Sequence, residues 1–531
     1  MSNRYKILVT DPLSDEGISI LKSCKDFDVC TLNKAVPENE LASLISEYHA
    51  LIVRSGTRAT KTVIESGKNL KIIARAGVGI DNVDVDTATD RGILVVNAPE
   101  GNTISTAEQT FALILCLARK VSWAHQSILD GNWDRKSFKG IQLSGRTLGV
   151  IGLGRIGREV ALRAKAFGMR ILGYDPYVSR EQASQLGIKL SELTDIYKES
   201  DIITTHTPLT AKTRGLIAKA QIDSMKEGVL LINCARGGIY VESDVLDALK
   251  SGKIGGAAFD TFVIEPPTDN PLVHLPNFLS TPHLGAATAE AQVSVAIETC
   301  EAIVDFFTIG TTRNSINFPA VAPEIYEANR PFLDLSEKLG YLLANLREGR
   351  MIELSIIFSQ ELESKPTHIM KLAAIKGFLE PILSERVNFI NALSVAKERG
   401  IQLKESFSPV ESLFPELITI EIKTDKGNHR VSGTLYHHKY PRIIEVDNYD
   451  FELVPVGEYL MISNRDMPGV VGEVGSILGE SMINIATMQL GRQKKGSEAL
   501  IFISVDEKPS QDVINQIKNC PAVINALSLS F

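Results

Sequence analysis

Thr147-Leu-Gly-Val-Ile-Gly-Leu-Gly-Arg-Ile-Gly157 is the stretch that decides the fold of this chain. It opens with a short apolar run containing β-branched residues, which predicts a buried strand. Three glycines follow, and a helical pattern continues from Arg155 to about Phe167. The order strand, glycine turn, helix places a pyrophosphate at a helix N-terminus, so the stretch predicts a dinucleotide site.

The glycines have the G-x-G-x-x-G spacing, and each has a distinct role. Gly152 permits the tight turn, Gly154 lets the backbone approach a phosphate, and Gly157 lets the helix pack on the strand. The next predicted strand ends at Asp175, 18 residues after Gly157. An acidic side chain there can accept hydrogen bonds from the ribose hydroxyls of NAD and repels a 2′-phosphate. The alternative, a glycine-rich connection that binds nothing, is weakened by this aspartate.

Length and composition predict a globular protein of several domains. The chain has 531 residues, enough for about three to four domains. Its net charge is −8 without a basic tail, which argues against nucleic-acid binding. The six cysteines are scattered without metal-ligand spacing, so we expect no metal site and a reducing, cytoplasmic location. No signal peptide and no membrane-spanning segment are expected.

Residues 1–100 alternate strand and helix patterns, which predicts a parallel-sheet domain. Two arginines, Arg54 and Arg75, each lie at the carboxyl end of a predicted strand, beside a turn of small residues. Guanidinium and backbone N–H groups together can hold an anion at such a place. Two ordinary surface arginines are the alternative interpretation.

The strands predicted between residues 147 and 283 are each followed by glycine or polar residues. Ligands of a doubly wound sheet bind outside the carboxyl ends of its strands, so these residues are expected to share one crevice. They are, in chain order, the glycine turn, Asp175, Thr207, Cys234-Ala235-Arg236, Asp260 and His283.

His283 and Glu265 follow neighbouring strands and can form a dyad. A carboxylate fixes the tautomer of a histidine and stabilises its imidazolium. Arg236 can grip a carboxylate bidentately. A lone histidine is more often structural, but a histidine, a glutamate and an arginine at the nucleotide edge together favour catalysis.

The rest of the chain predicts a return to the first domain and then two further domains. Ser105-Thr-Ala-Glu108 reads as a capping box that opens a long helix, and residues 287–310 read as an amphipathic helix that returns to the first domain. A mixed α and β segment, 324–455, follows a linker at 311–323. Residues 457–531 have the order β-α-β-β-α-β of ferredoxin-like domains.

These motifs resemble the signatures of the D-2-hydroxyacid dehydrogenase family. The Asn97–Asn102 stretch and the Arg75–Asp84 stretch resemble its phosphoglycerate branch in particular. The resemblance covers essentially the whole chain. One departure is the turn at His437-His438, where glycine is usual, and another is Val78, where many relatives carry a small hydroxyl residue or alanine. The stretches that carry it are Gly152–Gly157, Asn233–Gly238, Asp260–Pro267 and Thr281–Gly285.

The resemblance implies an α/β fold in which a Rossmann NAD-binding domain, 101–286, is inserted in a flavodoxin-like substrate domain, 1–100 and 287–315. A mixed α+β intervening domain, 318–455, and a ferredoxin-like ACT domain, 457–531, would follow.

The resemblance also implies the reaction and the site residues. The reaction would be NAD-dependent oxidation of D-3-phosphoglycerate to 3-phosphohydroxypyruvate, the first step of serine synthesis, in a homotetramer with L-serine as a possible effector. His283 would take the hydroxyl proton, Glu265 would orient it, and Arg236 would hold the substrate carboxylate. The expected NAD contacts are Val78, Gly152, Gly154, Arg155, Ile156, Gly157, Asp175, Thr207, Cys234, Ala235, Arg236, Asp260, His283, Gly285 and Ala286. The expected substrate contacts are Arg54, Ser55, Gly56, Arg75, Gly77, Asn102 and, from a partner subunit, Arg135, and the expected effector contacts are Asn464, Asp466 and Asn484.

Two other functions remain open at this point. The chain would be a different D-2-hydroxyacid dehydrogenase, such as a hydroxypyruvate or glyoxylate reductase, if the arginines did not bind phosphate. It would be a non-enzymatic NAD sensor if it resembled the corepressors that share this fold, but those end in disordered tails rather than an ACT domain.

Overall fold

The computed structural model describes residues 4–310, 314–319, 321–383, 386–409 and 413–531, and these form four β-sheets. The predicted linker at 311–323 lies partly outside the described residues. No helix in the described ranges is long and apolar enough to cross a membrane.

The first sheet is parallel, with the flavodoxin-like order β2-β1-β3-β4-β5. Its central strands are short runs of Ile, Leu, Val and Ala that are buried on both faces, as parallel sheets require. The strands are β1 (Tyr5–Val9), β2 (Phe27–Thr31), β3 (Ala50–Val53), β4 (Ile72–Arg75) and β5 (Leu94–Asn97). The helices between them are α1 (Asp15–Ser23), α2 (Glu38–Leu44), α3 (Lys61–Ser66) and α4 (Val85–Asp90).

Two helices then lead into the second sheet: α5 (Thr103–Arg119) and α6 (Val121–Leu129). The capping-box prediction for α5 is wrong, because the helix begins at Thr103 and no side chain caps it. The Ser105 hydroxyl instead lies 2.7 Å from that of Thr288.

The second sheet is the doubly wound NAD-binding type, with strand order β12-β11-β10-β9-β6-β7-β8. The order reverses between β6 and β9, and the glycine turn follows β6 at this switch point. The strands are β6 (Thr147–Ile151), β7 (Arg170–Tyr174), β8 (Lys189–Leu190), β9 (Ile202–Thr205), β10 (Val229–Asn233), β11 (Ile254–Phe259) and β12 (Phe278–Ser280). The helices are α7 (Arg155–Ala166), α8 (Arg180–Gln185), α9 (Leu193–Glu199), α10 (Lys219–Asp223) and α11 (Glu242–Ser251).

Helix α12 (Ala289–Thr308) returns to the first sheet. Its buried Val295, Cys300 and Ile303 share one hydrophobic core with β1 and β4. The segment after it pairs with β5 through an antiparallel bridge between Ser315 and Val96. The first sheet is therefore built from two separate parts of the chain.

The third sheet has the order β14-β13-β15-β16-β17-β18 and is covered by two long helices. Its hairpin turn at His437 and His438 has φ angles of 52° and 56°, a left-handed conformation that favours glycine. The helices are α13 (Pro323–Leu346), α14 (Thr367–Leu379) and α15 (Ala392–Glu398). The strands are β13 (Met351–Ser359), β14 (Gln402–Ser408), β15 (Ile418–Thr424), β16 (Asn428–Tyr436), β17 (Tyr440–Val446) and β18 (Tyr449–Leu453).

The fourth sheet is antiparallel, with the ferredoxin-like order β20-β21-β19-β22. One face packs on its helices, whereas Tyr459, Met461 and Phe502 on the other face belong to the core of the third sheet. Its elements are β19 (Glu458–Arg465), α16 (Val470–Glu480), β20 (Ile485–Arg492), β21 (Glu498–Val505), α17 (Gln511–Lys518) and β22 (Val523–Ser530).

Candidate active site

The glycine turn leaves an open surface at the N-terminus of α7. Gly152 has a φ of 95°, and a side chain there would lie 2.5 Å from the carbonyl oxygen of His206. A side chain at Gly157 would lie 1.9 Å from the carbonyl oxygen of Gly152. At Gly154, by contrast, a Cβ would meet nothing within 4 Å. The turn is thus closely packed at Gly152 and Gly157 but open at Gly154. An open backbone at this position leaves room for a bound pyrophosphate.

Asp175 lies beside this turn at the carboxyl end of β7. One carboxylate oxygen accepts the N–H of Leu153 at 2.9 Å, and the other accepts the N–H of Tyr177 at 2.9 Å. These bonds fix the carboxylate next to the open surface. Each oxygen keeps a lone pair for a ribose hydroxyl.

Arg155 and Ile156 begin α7, and Arg155 reaches across to the first domain. Its guanidinium lies 3.0 Å from Glu100. Both side chains are more than half exposed, so this pair contributes little to stability.

The loop after β10 holds Arg236 against the first domain. The Asn233 amide donates to the carbonyl of Arg236 at 2.9 Å, and its oxygen accepts the N–H of Ala235 at 3.1 Å. The Nε of Arg236 then donates to Asp81 at 2.9 Å, across the crevice between the two sheets.

Glu265 and His283 form the expected dyad. His283 Nδ1 lies 2.9 Å from one oxygen of Glu265, whose other oxygen accepts the N–H of Phe262 at 3.0 Å. Partial burial raises the pKa of Glu265, but the bonds from His283 and Phe262 and the charges of His283 and Arg236 outweigh it, so the pKa is lowered overall. A carboxylate that stays ionised keeps a proton on Nδ1 and leaves Nε2 to accept one.

Asp260 holds the loop that carries His283. This buried carboxylate accepts from the Thr281 hydroxyl at 2.5 Å and from the N–H groups of Leu284 and Gly285 at 2.7 and 2.9 Å. His283 itself has a left-handed φ of 55°. The loop is therefore tied down on both sides of the histidine.

Arg54 and Arg75 bring further positive charge from the first domain to the same crevice. Burial, followed by the charges of Arg236 and Arg54, lowers the pKa of Arg75 to about 10. Its Nε is buried without a hydrogen-bond partner among the described residues. Three mutually repelling guanidinium groups, one of them largely desolvated, favour the binding of an anion.

The small residues beside these arginines keep the pocket open. A side chain at Gly77 would lie 1.7 Å from the guanidinium of Arg75, and one at Gly56 would lie 2.5 Å from Asp11. Ser55 is exposed in the same turn as Gly56. The Val78 carbonyl accepts from the Asn97 amide at 2.6 Å.

Two further predicted residues present buried oxygens that have no partner in the described part of the chain. They are Thr207, whose methyl group lies against Gly152, and Asn102, at the start of α5. Cys234 is buried, and burial raises the pKa of its thiol to about 12, so it contributes packing rather than a nucleophile. Gly285 is buried and Ala286 half-buried after the histidine loop.

Arg135 is not part of this cluster. It lies in the exposed loop between α6 and β6, where Trp133 is 82 % exposed. Its predicted contact requires a partner subunit.

The three predicted effector residues are not all brought together within the chain. Asn464 and Asp466 lie at the end of β19 that pairs with Glu498. Asn484 precedes Ile485, which pairs with Val505 at the opposite end of β21. Asp466 accepts from Arg492 at 3.1 Å and from the N–H of Gly496 at 2.9 Å, and Asn484 donates to Asp506 at 2.8 Å. A single site containing all three would need two subunits.

Sequence reasoning missed Asp81 and Asn233 as site residues, although both stand in the motifs that it quoted. Asn233 ends a buried strand, where an amide is unusual, and that was a usable signal. Asp81 carried no such signal, because its partner Arg236 is 155 residues away. No group of histidine, cysteine or acidic residues in the described ranges is arranged to hold a metal ion.

Comparison with protein families accounts for three parts of the chain. Residues 111–285 match the NAD-binding domain of D-isomer specific 2-hydroxyacid dehydrogenases. Residues 329–447 match the D-3-phosphoglycerate dehydrogenase intervening domain, and residues 459–522 match the ACT domain.

Solved structures resemble part of the chain. The TT0316 protein of Thermus thermophilus is 33 % identical with a TM-score of 0.55, and covers 59 % of this chain and 99 % of its own. A D-lactate dehydrogenase of Aquifex aeolicus, solved with NAD and lactic acid, is 29 % identical with a TM-score of 0.53 over the same shares.

Curated relatives match the whole length. The D-3-phosphoglycerate dehydrogenase of Methanocaldococcus jannaschii is 43 % identical over 98 % of this chain and 99 % of its own. That of Bacillus subtilis is 39 % identical over 98 % of both chains. With the NAD-binding fold and the intervening and ACT domains, this likeness confirms the resemblance seen in the motifs: the chain belongs to the D-3-phosphoglycerate dehydrogenase family.

Proposed function

We propose that this chain oxidises the C2 hydroxyl of D-3-phosphoglycerate to the ketone of 3-phosphohydroxypyruvate. The observation that carries the proposal is the convergence of the His283–Glu265 pair with Arg236, Arg75 and Arg54 at one crevice. A substrate with a carboxylate at one end and a phosphate at the other needs a cationic group for each. An acid–base group is needed at the hydroxyl between them.

His283 is the proposed base. Its Nδ1 is engaged by Glu265, so Nε2 receives the hydroxyl proton while Glu265 stabilises the resulting imidazolium. NAD, when bound, would accept the hydride from C2. Arg236 is proposed to hold the carboxylate, with Asp81 fixing the direction of its guanidinium.

Phosphate recognition is assigned to Arg75 and Arg54, with Arg135 supplied by a partner subunit. Arg54 is held by a bond from its guanidinium to the Pro12 carbonyl at 3.0 Å, and its N–H donates to Asp11 at 2.7 Å. The half-buried Arg75, whose Nε has no partner among the described residues, would then gain a dianionic partner. Charge-assisted bonds of this kind distinguish a phosphorylated substrate from D-glycerate.

The test is NADH formation from D-3-phosphoglycerate compared with D-glycerate and D-lactate. We expect kcat/KM to favour the phosphorylated substrate, His283→Ala to lower kcat by about 10²–10⁴ while NADH still binds, and Arg75→Met to remove the preference for phosphate. Equal rates with D-glycerate would favour the other D-2-hydroxyacid dehydrogenases. No turnover together with intact NADH binding would favour the NAD-sensing alternative.

We further propose a cytoplasmic homotetramer with an L-serine site between paired ACT domains. Support for the location comes from the cysteines, all six of which are free. Support for the ligand site is Asp466, a carboxylate able to take an ammonium group, and the buried Asn464, whose side-chain oxygen has no described partner. Asn484 of the partner subunit would complete the site.

Activity titrated with L-serine tests this regulatory proposal, with sedimentation velocity giving the oligomer. Inhibition should weaken at least about tenfold in Asp466→Ala and in Asn484→Ala, but not in the control Asp512→Ala on exposed α17. If serine does not inhibit the enzyme, or inhibits the variants as strongly as the wild type, the ACT domain has only a structural role.

A further inference from the structure

A cleft of about 330 Å³ lies between the first domain and the intervening domain, away from the catalytic crevice. Its floor is formed by residues that precede or begin strands of the first sheet, including Tyr5, Lys71 and Leu94. The arginines of the proposed catalytic site lie at the opposite ends of strands in the same sheet, since Arg75 ends β4 and Arg54 follows β3. With four residues in β4, the two sites are separated by about 13 Å of strand.

The walls of the cleft are aromatic and come from both domains. Phe306 and Phe307 contribute from α12, and Phe318, Tyr326 and Phe389 contribute from the segments that follow. These rings are half-buried and remain accessible within the cleft. Tyr5 stacks on Phe307 with ring centroids 4.2 Å apart, so the rings on this side are held in place. Such walls favour a flat apolar body.

The cleft also carries positive charge. Lys71, Arg91 and Arg386 line it, and no acidic side chain is among its described lining residues. Burial, followed by the charge of Arg386, lowers the pKa of Lys71. The Lys71 ammonium lies 5.3 Å from the centroid of the Tyr5 ring. Lys71 and Arg386 repel each other beside apolar rings, and no anion from the described lining residues lies between them, which favours an anionic ligand.

The two sides of the cleft are joined by specific bonds. The Asn388 amide donates to the Gly92 carbonyl at 2.7 Å, and the Ser394 hydroxyl donates to Asp90 at 2.7 Å. A molecule bound here would therefore contact both domains at their junction. It would also touch Lys71, which directly precedes the strand that ends at Arg75.

We propose that this interdomain cleft binds a small aryl or aryl-alkyl carboxylate. The ring lies between the phenylalanine side chains, and the carboxylate meets Lys71 and Arg386. Because the ligand bridges the two domains, its binding favours one arrangement of the intervening domain relative to the first sheet. The site is distinct from the catalytic crevice and from the ACT domain.

The experiment uses the full-length enzyme saturated with NAD and titrates it with 3-phenylpropionate by calorimetry. The alcohol 3-phenyl-1-propanol keeps the ring without the charge, and butyrate keeps the charge without the ring. We expect saturable binding of 3-phenylpropionate alone, unaffected by D-3-phosphoglycerate. Arg386→Met and the double variant Lys71→Met/Arg386→Met should weaken binding at least about tenfold, whereas Lys219→Met, an exposed lysine on α10, should not.

Several results would overturn the proposal. They are absence of saturable binding up to about 10 mM, equal affinity for the acid and the alcohol, unchanged affinity in Arg386→Met, and displacement by D-3-phosphoglycerate. The exposed Arg386 can be replaced without disturbing the core, so its variant tests the site even if the double variant unfolds. Hydrogen exchange supplies an independent measurement, since the ligand should slow exchange in residues 386–391 and 304–310.

Discussion

Contacts within the protein orient the guanidinium of Arg236 in the absence of substrate. Its Nε donates to Asp81, and a terminal nitrogen donates to the Ala235 carbonyl at 2.7 Å. The remaining donors of the guanidinium are left for a carboxylate, so the arginine does not need to reorient on binding. Asp81 also offsets the repulsion between Arg236 and Arg75. Its charge raises the pKa of Arg75, whereas the charges of Arg236 and Arg54 lower that pKa.

In the proposed site, Asp175 selects NAD over NADP. Asp175→Ala should narrow the ratio of kcat/KM for NAD over NADP by about 10- to 100-fold, because two ribose hydrogen bonds and the repulsion of a 2′-phosphate are lost together. Initial rates with both cofactors measure the ratio, and Asp195→Ala on exposed α9 is the control. A variant with the wild-type ratio would mean that Asp175 does not select the cofactor.

If the proposed Glu265–His283 dyad carries the acid–base chemistry, it sets the pH dependence of the reaction. Because the pKa of Glu265 is lowered from 4.5, its contribution to stability is complete above that value and is lost only as the pH falls through the folded-state pKa. Near neutral pH the carboxylate therefore stays ionised. In Glu265→Gln the imidazolium loses its anion, so the acidic limb of the kcat/KM profile for oxidation should move to lower pH.

The profile is measured with D-3-phosphoglycerate across about pH 5 to 9. Glu290→Gln, in the first turn of α12, serves as a matched control that leaves the pair intact. A Glu265→Gln profile that superimposes on the wild type would rule out the dyad.

At the scale of elements, the proposed catalytic groups are placed by short loops rather than by helices or strands. The loop from Thr281 to Gly285 has no regular structure, yet one buried carboxylate accepts three of its donors. It is also tied to α5, whose Thr106 hydroxyl donates to the Gly285 carbonyl at 3.0 Å. This explains how a histidine with an unfavourable φ is kept in a single position.

Asp260→Asn tests this loop. The amide keeps only one acceptor oxygen, so its NH₂ group would face at least one of the N–H groups that now donate to the carboxylate, and each unsatisfied buried group costs about 1–3 kcal/mol. We expect a lower melting temperature and a lower kcat, measured by calorimetry and by NADH formation. Asp269→Asn, an exposed position in the same connection, should change neither quantity. Loss of kcat without any loss of stability would instead favour a direct contact of Asp260 with the cofactor.

At the scale of the whole molecule, the chain consists of two structural halves. The two parallel sheets share the catalytic crevice, whereas the intervening and ACT sheets share one hydrophobic core. The Glu452 N–H donates to the Gln489 amide at 2.8 Å and closes the junction of the second half. The D-lactate dehydrogenase of Aquifex aeolicus is matched over 99 % of its length by 59 % of this chain, so a protein of the size of the first half exists on its own elsewhere.

Two truncations test this division. A chain ending at residue 319 should fold and bind NADH, since its cores are made within the first half. A chain ending at residue 456 should be less stable than full length, because Tyr459, Met461 and Phe502 each contribute about 1.5–3 kcal/mol of burial to the retained domain. Thermal unfolding and NADH binding are measured for both truncated chains. Equal stability of the 456-residue chain and the full chain would contradict the shared core.

The sequence alone determined the fold class, the family and the dyad. Strand periodicity, a glycine turn and a helix start act over a few residues, so β6, β7, β10 and β11 are predicted at their observed bounds. The pairing of His283 with Glu265 follows from the same logic, because both lie near the carboxyl ends of neighbouring strands.

Only the tertiary structure decided which distant groups meet. Asp81 contacts Arg236 because two sheets pack across a crevice, and no local pattern encodes that packing. The sequence predicts both Asn464 and Asn484 as effector contacts. Antiparallel pairing nevertheless places them at opposite ends of β21. Likewise the cations of the interdomain cleft belong to segments more than 300 residues apart, and only the docking of the intervening domain brings Lys71 and Arg386 together. Contacts of this range depend on how whole elements pack, which short-range propensity does not specify.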